Sequence, residues 1–212
     1  MKVAIYDLDK TLVRRATFTP FLAFAARRIA PWRLVLLPVW VLMMIGYRLG
    51  LYDRTALKTA GMKLMLGRVT ASRLEDIGKD FASHHLARAG WMPGVIEMVE
   101  QDRAAGSRLV MATAAFEFYA RAFADTLGIE HVIATRWDGE TIPGGNCYGD
   151  AKRARVAEWL GGRAAHIRFV SDSFADAPLL AMADDPVFVT NSRGKRTRAE
   201  ALGWRVTDGE AS

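Results

Sequence analysis

Short apolar runs that end in polar residues recur along this chain and predict the strands of a parallel sheet. These runs cover residues 2–8, 107–113, 131–135, 167–172, 186–190 and 204–206. Segments with helical spacing lie between them, around residues 93–105, 116–127 and 152–160, and a glycine follows each segment. Alternating strands and helices predict an α/β fold with a Rossmann-like parallel sheet covered on both faces. Ligands of such sheets bind at the carboxyl ends of the strands.

Residues 13–90 interrupt this alternation. Their hydrophobic spacing predicts four helices, over residues 20–29, 34–49, 55–66 and 71–89. A helical block directly after the first strand indicates a cap over the carboxyl ends of the strands. We therefore expect a core formed by residues 1–12 and 91–212, with residues 13–90 as a helical, basic and apolar cap.

The longest uncharged stretch, LVLLPVWVLMMIGY at residues 34–47, lies within this cap. A membrane-spanning helix needs about 20 apolar residues to cross about 30 Å of hydrocarbon. Fourteen residues rise only about 21 Å at 1.5 Å each. Two interpretations stay open: a helix buried in the cap, or a helix that lies at a membrane interface with arginines at both ends.

Composition fits one globular domain with an insert: 212 residues, of which 51% are hydrophobic and 25% charged. The single cysteine, Cys147, excludes an internal disulfide framework and is interpreted as structural. The net charge of +6 is concentrated between residues 14 and 54, where seven arginines accompany one acid. A neutral body with one basic segment favours an anionic substrate or an anionic membrane, and we expect no nucleic-acid partner. The basic cluster at residues 193–198 is interpreted as solvated surface.

The strongest chemical signal is the sequence Asp7-Leu8-Asp9-Lys10-Thr11 at the end of the first strand. Its two carboxylates are separated by one residue, where the backbone leaves the sheet and begins to turn. One carboxylate can attack a substrate while the other transfers a proton.

Further polar residues stand at strand ends or helix starts. Thr113 ends the second strand, Lys152 begins a helix, and Asp172 and Asp176 follow the fourth strand. Acids gathered at one sheet edge repel one another unless a hard cation lies between them, and oxygen ligands suit Mg²⁺. Lysine and threonine complete an anion cradle. The set predicts phosphoryl transfer to a carboxylate, followed by attack of water.

DLDKT, Thr113, Lys152 and SDSFAD resemble, in this order, the four motifs of the haloacid dehalogenase-like (HAD) superfamily of phosphohydrolases. The resemblance implies that Asp7 is the nucleophile, forms an aspartyl-phosphate and binds Mg²⁺. It implies that Asp9 is the general acid/base and that its backbone carbonyl binds the metal. It also implies that Asp172 is a Mg²⁺ ligand.

The remaining motif residues take supporting roles under the same resemblance. Thr113 would bind the phosphoryl group, and Lys152 would hold both the phosphate and the nucleophile. Asp176 would act through water or through Lys152, and Thr11 would support the site.

The place of the insert and the stretch FEFY at residues 116–119 resemble the phosphoserine phosphatase-like branch, subfamily IB. In phosphoserine phosphatases a glutamate follows the nucleophile by nine positions and holds the amino-acid part of the substrate, but Ala16 stands there in this chain. Arg14, Arg15, the basic apolar cap and the SDSxxDxPLL pattern are most like the phosphatidylglycerophosphatase C type members. Arg14 and Arg15 are therefore candidate ligands of the substrate head group.

Three functional hypotheses follow. The first is a Mg²⁺-dependent phosphatase of a membrane lipid phosphate such as phosphatidylglycerophosphate, cytoplasmic and peripheral on the inner face of the membrane. The second is a phosphatase of a soluble, phosphoserine-like phosphomonoester, with the apolar cap helix buried. The third is a basic adaptor without catalytic activity, which the complete acid, lysine and threonine set argues against. The sequence makes no prediction of the oligomeric state.

Overall fold

The computed structural model of the chain describes residues 1–210, and within them six parallel strands form one sheet. The strands are β1 (Lys2–Tyr6), β2 (Arg108–Phe116), β3 (His131–Thr135), β4 (His166–Ser171), β5 (Asp185–Val189) and β6 (Arg205–Thr207). Their order across the sheet is β3-β2-β1-β4-β5-β6. The predicted α/β class with a parallel Rossmann-like sheet is confirmed, since each strand overlaps one of the apolar runs.

The order of the strands places the chemistry at the centre of the sheet. β1 lies between β2 and β4, so that Tyr6 aligns with Met111 on one side and with Val170 on the other. The strand order reverses at β1, and a crevice opens at such a switch point where neighbouring connections leave in opposite directions. The residues that follow Tyr6, Met111 and Val170 therefore meet at one edge of the sheet.

Helices cover both faces of the sheet and form a separate block after β1. They are α1 (Phe18–Ile29), α2 (Leu37–Arg48), α3 (Arg54–Leu66), α4 (Ala71–Ala89), α5 (Pro93–Ala104), α6 (Glu117–Thr126), α7 (Asp150–Leu160), α8 (Ala177–Leu180) and α9 (Arg193–Ala201). Side chains of β1 alternate between two apolar cores: Ala4 and Tyr6 enter one, Val3 and Ile5 the other. The first core includes residues of α5 and α6, and the second includes residues of α7, α8 and α9.

The helical block α1–α4 shares the first of these cores with the sheet. Phe21 of α1 stacks on Tyr119 of α6 with ring centroids 4.9 Å apart, and Phe81 of α4 packs edge-on against both rings. Gly78 lies so close to α6 that an added Cβ would stand 2.5 Å from the carbonyl oxygen of Phe118. Because the apolar core is continuous, the division into a core (1–12 and 91–212) and a cap (13–90) stays a prediction.

The apolar stretch of the cap forms two elements instead of the single helix expected over residues 34–49. A 3-10 helix covers Pro31–Leu36, and α2 begins at Leu37 with Pro38 in its first turn. Proline lacks an N–H and is favoured at the start of a helix, which explains the break. Only Trp40 and Gly46 of α2 are buried, so the helix is covered on one side and exposed on the other. No helix within residues 1–210 is both long and apolar enough to cross a membrane.

Candidate active site

The backbone turns sharply after β1 and presents Asp7 at the carboxyl edge of the sheet. The N–H of Asp7 donates a hydrogen bond to the carbonyl of Val170 at 3.0 Å. Asp7 is only 6% exposed. Lys10 follows with φ of +58°, the only positive value for a residue other than glycine within residues 1–210. Such a conformation costs free energy and is concentrated at functional sites. It lets the loop fold back, with the N–H groups of Thr11 and Val13 both donating to Leu8.

Lys152 joins two of the predicted carboxylates. It lies in the first turn of α7, behind Gly149, whose φ of +58° favours glycine. Its Nζ donates to Asp7 Oδ1 at 2.9 Å and to Asp176 Oδ2 at 2.7 Å. Burial lowers the pKa of Lys152, but the attraction of Asp7 and Asp176 outweighs it and the net pKa is raised. The ammonium therefore stays charged between the two carboxylates.

Burial dominates the electrostatics of the carboxylates themselves. It raises the pKa of Asp7 to about 7, against the attraction of Lys152, while Asp176, Asp172 and Asp9 add to the rise by repulsion. Burial also raises the pKa of Asp172 to about 6, with Lys195 and Lys10 acting in the opposite direction. Burial thus disfavours the ionised form of both Asp7 and Asp172, and the nearby lysines offset only part of this effect.

Thr11 and Thr113 complete the edge. Thr113, in β2, is 1% exposed, and its Oγ1 accepts a hydrogen bond from the N–H of Ala115 at 3.1 Å. Thr11 Oγ1 accepts from the N–H of Asp172 at 3.0 Å and so ties the loop after β1 to the loop after β4. The supporting role expected for Thr11 has this geometry: the hydroxyl positions the backbone of Asp172.

The side chain of Asp9 points to the start of the first cap helix. Its Oδ1 accepts from the N–H of Thr17 at 2.9 Å and from Thr17 Oγ1 at 2.7 Å. The hydroxyl of Tyr119 lies 3.3 Å from Thr17 Oγ1. The expected general acid/base is therefore held in one orientation by the residue that precedes α1.

The residues present fit Mg²⁺ through two carboxylates and not three. Within residues 1–210 no three His, Cys, Asp or Glu side chains gather closely enough to hold a metal ion together. Asp7 and Asp172, however, both have a pKa raised by burial, and Asp176 Oδ1 is buried without a hydrogen-bond partner. A hard cation next to such oxygens stabilises the ionised carboxylates. With its carboxylate held by Thr17, Asp9 would contribute through its backbone carbonyl, as the resemblance implies.

The two candidate head-group arginines do not contact the catalytic carboxylates. Arg14 forms an ion pair with Glu210, with both terminal nitrogens 2.7 Å from carboxylate oxygens, and borders a cleft of about 320 Å³ that also contains Asp172. Arg15 is exposed and borders another cleft, of about 170 Å³, together with Arg27 and Arg88. Their role as head-group ligands stays a prediction.

Sequence reasoning missed Lys58, a buried lysine that crosses from α3 to the sheet. Its Nζ donates to the carbonyl of Ala114, next to Thr113, and to Asn146 Oδ1 at 3.1 Å. Burial, and then the charge of Arg54, lowers the pKa of Lys58 to about 7. The helical spacing of the apolar residues could have predicted this burial. Residues 58, 61, 62 and 65 lie on the buried side of α3, and Lys58 is the charged one among them.

Lys195 is a second missed residue. It belongs to the cluster that was interpreted as solvated surface, but α9 places its Nζ 3.5 Å from the carbonyl oxygen of Asp172. Its charge lowers the pKa of Asp172 against the effect of burial. One member of that cluster therefore belongs to the electrostatics of the site.

Three side chains of the site are buried, whereas Asp172 borders the cleft next to Arg14. Asp7, Thr113 and Lys152 are at most 6% exposed, and they do not line the cleft next to Arg14. A cleft of about 790 Å³ lies between α4, α6 and the loop after β3. Residue chemistry, and not cleft size, identifies this site.

The chain is similar in sequence to known proteins. The sequence model of the haloacid dehalogenase-like hydrolase family matches residues 4–181. Protein CicA of Caulobacter vibrioides is 28% identical over 189 residues, which cover 85% of this chain and 82% of CicA.

Solved structures share the fold. A protein of unknown function from Bordetella pertussis Tohama I superposes with a TM-score of 0.85 at 26% identity, over 98% of each chain. A phosphoserine phosphatase in a phospho-aspartyl intermediate analogue superposes with a TM-score of 0.60 at 15% identity, over 89% of this chain and 86% of that one. At this identity the second likeness concerns the fold alone.

Proposed function

The chain belongs to the haloacid dehalogenase-like hydrolase family, and on this premise we propose that it is a Mg²⁺-dependent phosphomonoesterase with Asp7 as its nucleophile. The family model shows a hydrolase, and the fold shared with a phosphoserine phosphatase supports the expected phosphatase. The intermediate, the metal and the substrate are proposals. The observation that carries the first of these is the buried Asp7 carboxylate, held 2.9 Å from Lys152 at the switch point of the sheet.

The reaction has two displacements at phosphorus. The Asp7 carboxylate forms a bond to phosphorus while the bond to the ester oxygen breaks, and Asp9 gives its proton to that oxygen. Asp9 then takes a proton from water, whose oxygen attacks phosphorus and releases Asp7 and inorganic phosphate. Lys152 holds the Asp7 carboxylate in place, and Thr113 donates its hydroxyl proton to the phosphoryl group. When bound, Mg²⁺ supplies positive charge for the phosphoryl oxygens.

The nucleophile is tested with Asp7→Asn in hydrolysis of p-nitrophenyl phosphate with Mg²⁺. We expect the variant to lose at least a thousandfold in kcat, because an amide is a poor nucleophile, and to trap no labelled phosphate after acid quenching. Asp125→Asn, an exposed aspartate on α6, is the matched control and should keep wild-type activity. Substantial hydrolysis by Asp7→Asn would refute the proposal.

For the substrate we propose a lipid phosphomonoester such as phosphatidylglycerophosphate. Ala16 cannot bind an ammonium group, which disfavours free phosphoserine. The apolar residues that α2 exposes, with arginines at both ends of the segment, support a substrate that resides in a membrane. The test compares kcat/KM for phosphatidylglycerophosphate in mixed micelles with that for phosphoserine, and we expect at least a tenfold preference for the lipid.

A soluble phosphomonoester is the second candidate. The enclosure of Asp7, Thr113 and Lys152 favours it, since a small substrate fits within a closed site more readily than a lipid head group. A preference for phosphoserine or another soluble ester in the same comparison would select this candidate. The assignment of Asp7 is unaffected by that outcome.

A further inference from the structure

Large apolar side chains are exposed almost entirely on one part of the chain. Within residues 1–210, ten large hydrophobic residues are exposed, and eight of them lie between residues 32 and 51. We name these eight the outer apolar face: Trp32, Val35, Val39, Val41, Leu42, Ile45, Leu49 and Leu51. Their exposed fractions run from 43% to 72%. A contiguous exposed apolar surface usually marks a site of interaction with a partner or a membrane.

One side of α2 packs against α3, which leaves the opposite side of the helix uncovered. Trp40 is 1% exposed and packs so tightly on α3 that an added Cβ at Gly61 would lie 2.7 Å from its ring. Tyr52 donates its hydroxyl proton to the carbonyl of Met43 and packs against Gly46. These contacts fix α2 on α3. Residues 35, 39, 42, 45 and 49, spaced by three or four positions, then point away from the protein.

Along the sequence, positive charge borders the outer apolar face on both sides. Arg27 and Arg28 are exposed in the last turn of α1, just before the 3-10 helix, and Arg48 is exposed in the last turn of α2. No acidic residue occurs in the sequence between Arg14 and Asp53. Arg28 also lies 3.6 Å from Asp80, so Arg27 and Arg48 are the rim arginines without an ion pair among the described residues.

We propose that the outer apolar face docks on the surface of an anionic phospholipid bilayer. An apolar face with basic residues at its margins matches acyl chains and negatively charged head groups. α2 has 12 residues and is therefore about 18 Å long, too short for a bilayer core of about 30 Å. The helix lies in the plane of the interface and does not span the bilayer.

A second copy of the chain is a poorer occupant. Pairing two outer apolar faces brings the rim arginines of one copy near those of the other, and no acidic residue of the same segment compensates them. Like charges across an interface weaken association. The docking proposal does not depend on the identity of the reaction, because binding to lipid can be measured without a substrate.

The first experiment measures sedimentation of the protein with vesicles. Vesicles of 70% phosphatidylcholine and 30% phosphatidylglycerol should bind the wild type at 50 mM salt, and vesicles of phosphatidylcholine alone should bind at least tenfold less. Raising the salt to 500 mM should weaken binding to the anionic vesicles because the electrostatic part is screened. Failure of the wild type to sediment with the anionic vesicles would overturn the proposal.

Substitutions inside and outside the outer apolar face test whether this face binds the vesicles. Val35→Asn with Leu42→Asn should weaken binding at least tenfold, whereas Leu202→Asn, an exposed leucine elsewhere in the chain, should leave it unchanged. Arg27→Gln with Arg48→Gln should weaken binding at 50 mM salt by roughly fivefold for each arginine (about 1 kcal/mol). Arg193→Gln is the control for the arginine pair.

Hydrolysis of p-nitrophenyl phosphate in solution should be unchanged in every variant, which verifies folding separately from docking. If the apolar pair fails to fold, the arginine pair still tests the face. Equal loss of binding in the face variants and their controls would overturn the proposal. So would a dimer in sedimentation equilibrium that Leu42→Asn dissociates, since that result assigns the face to a second copy.

Discussion

At the scale of single residues, Lys152 is the buried cation that pairs with two carboxylates of the site. It is 1% exposed and holds Asp7 and Asp176 together, and Ser171 Oγ donates to the same Asp176 oxygen at 2.7 Å. Breaking a buried ion pair by removing one partner typically costs about 3–5 kcal/mol, because the other charge is left uncompensated.

We therefore expect Lys152→Met to lower the free energy of unfolding by about 3–5 kcal/mol and to abolish phosphatase activity. Urea denaturation measures the first effect. Adding Asp7→Asn to Lys152→Met should restore part of the stability, since one of the uncompensated charges is then removed. Lys79→Met, at an exposed lysine of α4, is the control and should shift the stability little. An equal loss in both lysine variants would contradict the ion-pair assignment.

Lys58 gives a prediction with a pH dependence. Burial lowers its pKa to about 7 in the folded protein, whereas the unfolded chain has a value of about 10.4. Below pH 7 the amine is charged in both states, and burying the charge destabilises the fold. Between the two values the unfolded chain binds more protons than the folded protein, so the free energy of unfolding rises with pH by about 1.4 kcal/mol per unit.

Lys58→Met removes this dependence. The stability of the variant relative to wild type should be greater at pH 7 than at pH 9 by roughly 2 kcal/mol, measured by urea denaturation at both values. Lys63→Met, at an exposed lysine on the same helix, should show no such difference. A difference of the opposite sign would mean that Lys58 is stabilised in its charged form by Ala114 and Asn146.

At the scale of secondary-structure elements, the packing of α4 on α6 depends on Gly78. In a helix interior alanine is more favourable than glycine by up to about 1 kcal/mol. Helix propensity alone therefore predicts that Gly78→Ala is stabilising. The Cβ would however stand 2.5 Å from a backbone oxygen that cannot rotate away. Overpacking of this kind typically costs about 1–3 kcal/mol.

We expect Gly78→Ala to lower the melting temperature and Gly194→Ala to raise it slightly, both measured by calorimetry. Gly194 lies in α9, and an added Cβ there meets no atom within 4 Å, so only the gain in helix propensity remains. A melting temperature of Gly78→Ala equal to or above wild type would show that α4 can move away from α6.

At the scale of the whole molecule, the site gathers carboxylates from loops that are far apart in sequence. Asp7 follows β1, while Asp172 and Asp176 follow β4, and both Asp7 and Asp172 have a pKa raised by burial. A cation that binds only the folded state couples its affinity to the stability of the entire fold.

Mg²⁺ should therefore raise the melting temperature of the wild type. At a concentration ten times its dissociation constant the stabilisation is about 1.4 kcal/mol. Asp172→Asn should lose this response, while Asp125→Asn should keep it. A wild-type protein whose melting temperature is insensitive to Mg²⁺ in the millimolar range would argue against the metal site.

The local pattern of the sequence determined the fold class, the order of the motifs and the place of the helical block. Apolar runs mark strands, glycines mark helix ends, and the carboxyl ends of parallel strands share one edge. These rules alone predict that Asp7, Lys152, Asp172 and Asp176 share one site. Each rule depends on only a few neighbouring residues, so the sequence alone is enough to apply it.

Only the tertiary structure decided how α2 is oriented and what several charges contact. α2 is apolar on every side before its last two residues, so it has too few polar positions from which an outer face could be predicted. The pairing of Arg14 with Glu210 joins residues 196 positions apart, and Lys58 reaches Asn146 across 88 positions. Such contacts depend on which elements pack together, because burial and pairing are properties of the assembled surfaces and not of any segment alone.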